Sequence, residues 1–373
     1  MDLRDRNLTP EQIKDVEKFI LKQKMAYQPF IFTDTLETGA GQKFHDGEGK
    51  GGRVYWENPP EDLPPAVRGI LTDDPVHFRE CNRVARCIYD YFVDSIVENL
   101  GDISKLSFAE VGCNTGYFLH ALALRGAAKC IGFDFTPNAD VFAWFNNVLN
   151  ITNEFRFAEW DSLSHCLYHA EMPQVDVTLT VAVTCHIADP IHHLAYLCDH
   201  SKKAIFLWSP VNRDEGLSIS YGKPNKYADY SLSWPVNIDN EVRPSIPMIR
   251  LGLQEAGFGD IREVKCPDNL STRWKGWYMN QIGYIALRTQ AVKTALAGGR
   301  FRRPVPPEIS GPKPLLVEEG YKKHNVIKLG DKFYGLAQSE GKLDLDRVHT
   351  KGYRCVVGKS VEEVKQLIGR TSK

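Results

Sequence analysis

Phe108-Ala109-Glu110-Val111-Gly112-Cys113-Asn114-Thr115-Gly116-Tyr117-Phe118 is the stretch whose reading decides the fold. It opens as an apolar run holding one acid, passes through small, turn-prone residues, and from Tyr117 onward begins a helical apolar pattern. A strand that bends at once into a helix marks the first unit of a wound α/β sheet. Glycines in such a bend let the backbone approach a ligand, and helix-terminal amides point into the same crevice. The bend therefore predicts a nucleotide-type site. It is not a dinucleotide fingerprint, because Asn114 and Tyr117 stand where G-x-G-x-x-G requires its second and third glycines.

Outward from this bend, from Leu106 to about Arg288, short β-rich runs alternate with helical stretches: LSFAEVG, KCIGFD, FRFAEW, DVTLTVAV, KKAIFLWS, DIREVKC and GYIALRT. Alternation of this kind predicts an α/β, Rossmann-like, seven-stranded and mostly parallel sheet with helices on both faces. The last two runs lack a helix between them, which predicts an antiparallel hairpin at one edge.

Before the sheet, residues 1–104 read as a helical extension. Thr9, Pro10 and Gln12 form a capping-box start ahead of Ile13, Val16, Phe19 and Ile20. Asp73, Asp74 and Pro75 precede a longer pattern through Phe78, Val84, Ile88, Phe92 and Ile96 that Gly101 closes. Between them, Gly39 to Gly52 has too few apolar residues to pack and reads as a loop. The domain that carries the bend spans 105–290, and the glycine-, arginine- and proline-rich residues 291–314 read as a linker. Residues 315–373 form a small α+β module with a hairpin turning at Gly330 and Asp331 and a final helix capped by Ser360 and Glu363. From residue 301 onward there are 15 Lys or Arg against 9 Asp or Glu, a formal balance of +6 that suits an anionic partner.

Over all 373 residues, 46 Lys and Arg nearly balance 47 Asp and Glu, so no strong field draws the chain as a whole to nucleic acid or an anionic surface. Hydrophobic residues make up 43%, enough for an ordinary core. The polar start MDLRDRNLTPEQ and the want of a long apolar run predict neither a secretory leader nor a membrane span. Nine cysteines with no CxxC pair read as buried thiols in a reducing compartment, with no metal site. The reading is a soluble, cytoplasmic protein of unassigned oligomeric state.

Glu110 followed by Gly112, Asn114 and Gly116 resembles motif I of the class I S-adenosylmethionine-dependent methyltransferases, an acid and then G-x-G-x-G, with Asn114 replacing one glycine. Asparagine is among the residues that best tolerate the left-handed conformation such a bend needs. The resemblance implies that the bend wraps the methionine portion of S-adenosyl-L-methionine. Asp134 ends the second strand 22 positions after Gly112, where a carboxylate accepts both ribose hydroxyls, and Phe135 follows it. Glu159, Trp160 and Asp161 close the third run. In the family an acid at this point reaches the adenine amino group and an apolar neighbour packs on the ring, which makes Asp161 and Trp160 candidates.

The fourth strand delivers Cys185 and His186 to the same edge. VAVTCHIADPIHHL, with EAGFGDIREV downstream, is similar to the bacterial enzymes that modify wobble uridine in tRNA by carboxymethyl transfer, over roughly residues 75–290. Cys185 stands where that family usually has tyrosine. A sulfonium methyl is already electrophilic, so the protein has to align an acceptor and exclude water, and His186 has the resting pKa of a base for a hydroxyl or amine acceptor. An orienting or packing role for His186 is the plainer alternative. Tyr221, Tyr227, Tyr230 and Trp234, in the long excursion after the fifth strand, are candidate substrate-binding aromatics, with Trp274, Lys275, Trp277 and Tyr278 as a second cluster. Three functions stay open. The first is methyl transfer to an O or N of a small molecule, saccharide or lipid precursor. The others are tRNA (carboxy)methylation, not favoured by the near-neutral charge, and a nicotinamide-dependent oxidoreductase or non-catalytic cofactor-binding protein.

Overall fold

The fold was obtained as a computed structural model, which describes residues 1–22, 24–25, 28–39, 53–68, 71–72, 74–161, 166–168, 172–187, 189–221, 242–265, 281–289, 315–329, 331–340, 343 and 354–371. The chain divides into two compact units, Met1–Phe301 and Arg302–Lys373.

In the first unit, helix α1 (Pro10–Leu21) leads into a small antiparallel meander of β1 (Phe30–Thr33), β2 (Leu36–Gly39) and β3 (Arg53–Trp56). Thr9 caps α1 in a reciprocal box with Gln12, and Val16, Phe19 and Ile20 turn inward, as their spacing requires. The meander is an addition to the helical extension read from the sequence. FIFT and LETG are short and joined by a two-residue turn, so they show no sustained alternation. A short helix α2 (Pro65–Arg68) precedes α3 (Pro75–Leu100), whose N-cap is Asp74 and whose C-cap is Gly101 at φ 72°.

The central sheet is built from β4 (Ser107–Val111), β5 (Lys129–Asp134), β6 (Glu154–Phe157), β9 (Val175–Val181), β10 (Ser201–Pro210), β13 (Asp260–Val264) and β14 (Gln281–Leu287). The helices among them are α4 (Tyr117–Leu124), α5 (Ala139–Leu149), α6 (Pro190–His200) and α7 (Ile246–Glu255). The remaining strands of this unit form two small ribbons, β7 (Glu159–Asp161) with β8 (Cys166–Tyr168) and β11 (Ile219–Tyr221) with β12 (Val242–Pro244). Sheet order is β13-β14-β10-β9-β4-β5-β6. The β4, β5, β6, β9 and β10 pairings are parallel, whereas β14 runs antiparallel to both its neighbours. This is the seven-stranded α/β sheet that the alternating runs predict.

Both faces are covered, so the inner strands are buried on both sides, and β4 and β9 place the polar Glu110, Thr178 and Thr180 there beside their apolar residues. Phe108, Cys130, Leu179, Phe206 and Trp208 pack toward α3 and α4. Their neighbours Ala109, Ile131, Phe133, Ile205 and Leu207 pack toward α6 and α7. A third core joins the N-terminal meander to α4 and α5 through Phe30, Phe32, Trp56, Tyr117, Trp144 and Phe145. Arg288, just past β14, donates to the carbonyls of Cys198 and Ser201 at 2.9 Å each and of Ala256 at 2.8 Å, closing the ends of α6 and α7.

The second unit is an antiparallel sheet of β15 (Leu315–Tyr321), β16 (His324–Leu329), β17 (Lys332–Ala337) and β18 (Cys355–Gly358), with α8 (Val361–Thr371) against one face. Leu329 lies opposite Lys332 in the antiparallel β16–β17 pair, and Gly330 of the turn read from the sequence lies outside the described residues. Ser360 Oγ accepts from the Glu363 amide at 3.2 Å, the N-terminal cap of α8. Among the described residues, no helix of the chain is long and apolar enough to cross a membrane.

Candidate functional site

The bend between β4 and α4 sits at the carboxyl edge of the sheet, beside the point where strand order reverses, the place where open α/β sheets bind ligands. Three alternate left-handed positions shape it: Gly112 (φ 79°), Asn114 (φ 51°) and Gly116 (φ 85°). Gly112 has no room for a side chain, since a Cβ there would strike Val183 beyond the end of β9. At Gly116 a Cβ would meet Phe142 Cζ at 2.5 Å and His120 Nε2 at 2.9 Å. Asn114 takes the left-handed conformation expected of it, which accounts for the one departure from three glycines.

Asp134 ends β5 and is buried. Its Oδ2 accepts from the Asn114 amide at 2.7 Å and its Oδ1 from the Thr136 amide at 2.8 Å. Each carboxylate oxygen thus keeps lone-pair capacity for one further donor. Glu110, 1% exposed, lies beneath the bend, and burial, followed by the charge of Asp134, pushes its carboxyl well above the usual range.

The backbone of the bend is nearly saturated. The amides of Gly112 and Cys113 reach the Phe133 carbonyl at 2.8 and 3.2 Å, and that of Gly116 reaches the Cys113 carbonyl at 2.8 Å. The Tyr117 amide donates to Gln28 Oε1 at 3.1 Å. Few donors are left for a pyrophosphate, which weighs against a dinucleotide.

Phe135 is 54% exposed directly after Asp134, and Phe157, paired with Asp134 across the β5–β6 ladder, is also 54% exposed. Phe157 was not among the sequence candidates, and the signal for it was the aromatic one place from the end of FRFA. β6 ends at Phe157, earlier than the sequence reading placed it. Trp160 and Asp161 belong to the separate β7–β8 ribbon, and their side chains lie outside the described residues.

At the end of β9, Ala182 takes a left-handed φ of 56° and its amide donates to the Trp208 carbonyl at 2.9 Å. This bend starts the short helical turn Thr184–His186, in which Thr184 and Cys185 are buried and His186 is exposed. Val183 against Gly112 brings this turn beside the motif bend, and β12 packs against it as well. Tyr221 lies in β11, its side chain outside the described residues. Tyr227, Tyr230, Trp234 and the 274–278 cluster also lie outside them.

Three buried polar atoms at this edge lack a hydrogen-bond partner among the described residues: Glu110 Oε2, Asn138 Oδ1 and Thr184 Oγ1. Buried polar groups are ordinarily paired, so each of these three has capacity for a water, an ion or a ligand atom, as do five other buried atoms among the described residues, Asn82 Oδ1, Trp144 Nε1, His193 Nδ1, Arg243 Nε and Arg288 Nε. No group of three or more His, Cys, Asp or Glu among the described residues is placed to hold a metal ion.

No family model matches the chain. Among curated proteins it is similar to the tRNA U34 carboxymethyltransferase of Pseudomonas fluorescens strain SBW25, 28% identical over 171 residues, 44% of this chain and 48% of that protein. It is also similar to the enzyme of the same name from Shewanella sp. strain W3-18-1, 23% identical over 243 residues, 62% of this chain and 65% of that protein. The chain spans about half the length of the first of these relatives. Among solved structures, magnesium protoporphyrin IX methyltransferase from Synechocystis PCC 6803 with bound SAH has a TM-score of 0.41 and 16% identity over 58% of this chain and 89% of that one. The N-terminal domain of EvdMO1 with SAH bound has the same TM-score and identity over 76% and 97%.

Proposed function

We propose that this chain binds S-adenosyl-L-methionine at the bend between β4 and α4 and transfers its methyl group to an acceptor oxygen or nitrogen. One observation carries the reading: the left-handed bend at Gly112, Asn114 and Gly116 is tied to a buried Asp134 at a topological switch point, with orphaned polar atoms around it. The acid, bend and second acid of this arrangement are those that the resemblance to class I methyltransferases assigns to the cofactor.

When bound, the cofactor supplies an electrophilic methyl on sulfur. The chain has four tasks. Glycines at 112 and 116 admit the ligand close to the backbone. Asp134 offers one free acceptor position on each oxygen to the two ribose hydroxyls, and its burial strengthens both bonds. Phe135 and Phe157 present apolar rings beside it for the purine. His186, on the exposed turn after β9, takes the acceptor's proton as the methyl moves.

The acceptor is a small molecule, saccharide or lipid precursor on the balance of charge. A second reading, a tRNA base, is favoured by the similarity to tRNA U34 carboxymethyltransferases. Calorimetric titration with S-adenosylmethionine, its carboxylated analogue and NAD separates the cofactor classes, and binding of NAD alone would end the proposal. Transfer of labelled methyl to bulk tRNA, against a nucleic-acid-free metabolite pool, then separates the acceptors. His186→Ala tests the base, since a variant with unaltered turnover removes His186 from the chemistry.

A further inference from the structure

The bend is held from outside the central sheet by a residue of the N-terminal segment. Gln28 stands just before β1, is 5% exposed, and directs its whole side-chain amide at the bend. Its Nε2 donates to the Cys113 carbonyl at 3.0 Å. Its Oε1 accepts from Thr115 Oγ1 at 2.6 Å and from the Tyr117 amide at 3.1 Å. Tyr117 opens α4, so its amide has no acceptor within the helix and needs one from elsewhere. A primary amide suits this place because it donates at one end and accepts twice at the other, which neither a carboxylate nor a thioether can do.

The frame that carries Gln28 packs against the helices beside the bend. Phe30, two residues on, packs its ring 5.4 Å from Tyr117 and 4.8 Å from Phe145. On the opposite flank His120 Nε2 meets the Thr115 carbonyl at 2.9 Å, while Asn138 Nδ2 donates to the Asn114 carbonyl at 3.1 Å. A bend with left-handed positions at 112, 114 and 116 has many other conformations open to it. Holding it in one before the ligand arrives lowers the ordering cost of binding.

We propose that Gln28 is a positioning residue for the cofactor, so that the N-terminal segment completes the crevice by fixing residues 113–117. The proposal rests on the functional reading above. It concerns affinity, not the reacting atoms, since Gln28 acts through the bend.

Gln28→Met keeps length and removes every one of these bonds. In the full chain it raises the dissociation constant for S-adenosylmethionine about tenfold or more, and raises the cofactor KM while the acceptor KM stays close to its starting value. Gln28→Glu, which keeps both accepting bonds, recovers part of the loss. Thr115→Val removes one partner, and the Q28M/T115V double variant loses less than the sum of the single losses because the two share a bond. Exchange of the Tyr117 amide, followed without cofactor, speeds up in Gln28→Met. A folded Gln28→Met or Thr115→Val chain with unchanged cofactor affinity overturns the proposal, and so do strictly additive losses in the double variant. Failure of the functional reading looks different: the unaltered chain itself binds no S-adenosylmethionine, and the positioning role falls with it whatever the exchange rates.

Discussion

The amide of Asn114 donates to Oδ2 of Asp134 at 2.7 Å, so the residue that replaces a glycine in the bend is bonded to the acid ending the next strand. Bend and acid are one unit, and a change at either end disturbs both.

Asp134→Asn tests that unit. The amide retains one accepting atom, so either the Asn114 amide or the Thr136 amide faces an NH2 group and loses its acceptor, and on the proposed function one ribose hydroxyl of the cofactor loses its anionic partner as well. Losing charged hydrogen bonds in a buried site costs about 2–3 kcal/mol, or roughly a hundredfold in cofactor affinity. Calorimetry on the two proteins measures it directly.

Glu110 sets an alkaline slope. Burial raises its folded-state pKa above the ordinary 4.5, so above that pH the unfolded chain has released a proton that the folded chain still holds. Stability therefore falls as pH rises from about 4.5 toward the folded pKa, by up to roughly 1.4 kcal/mol per pH unit for this one group. Urea denaturation across this range should show the slope in the unaltered chain and a flatter profile in Glu110→Gln.

His120 acts in the opposite sense. Burial lowers its pKa from 6.5 to about 3, against a smaller raising effect of the Thr115 carbonyl, and Asn153 Nδ2 meets its Nδ1 at 2.9 Å. The folded chain keeps the ring neutral while the unfolded chain protonates it, so stability present above pH 6.5 is lost as pH falls from 6.5 to 3. His193, lowered to about 4 by burial, adds to the same acid limb. His120→Gln shallows that limb in acid titrations followed by circular dichroism; an unchanged limb would contradict the assignment.

Arg288→Met breaks three bonds to the carbonyls that end α6 and α7. The expected loss is about 2 kcal/mol, seen as a lower urea midpoint with little change in cofactor affinity.

The sheet was legible in the sequence because its strands are short apolar runs separated by helical periodicity, a local signal. Asn114 was legible for a similar reason: few residues other than glycine accept φ 51°, and asparagine is one of them. The clamp by Gln28 was not. It joins residues 85 to 89 positions apart, and a lone glutamine ahead of FIF carries no mark of its partner. His120 was hidden likewise, reading as one polar residue within YFLHALAL until the fold put Asn153 and Thr115 on either side of its ring. The end of β6 was misplaced because FRFAEWD stays β-like past Phe157, where the backbone leaves the ladder for another ribbon.

The place of β14 between β10 and β13 bears on biosynthesis. A ribosome lays down Ala204-Ile205-Phe206-Leu207-Trp208 long before Gln281 emerges, and until then the outer margin of β10 has open peptide groups flanked by large apolar side chains. Nascent or prematurely terminated chains that stop short of Gln281 therefore carry an adhesive border able to recruit foreign strands, and only the late arrival of β14 seals it.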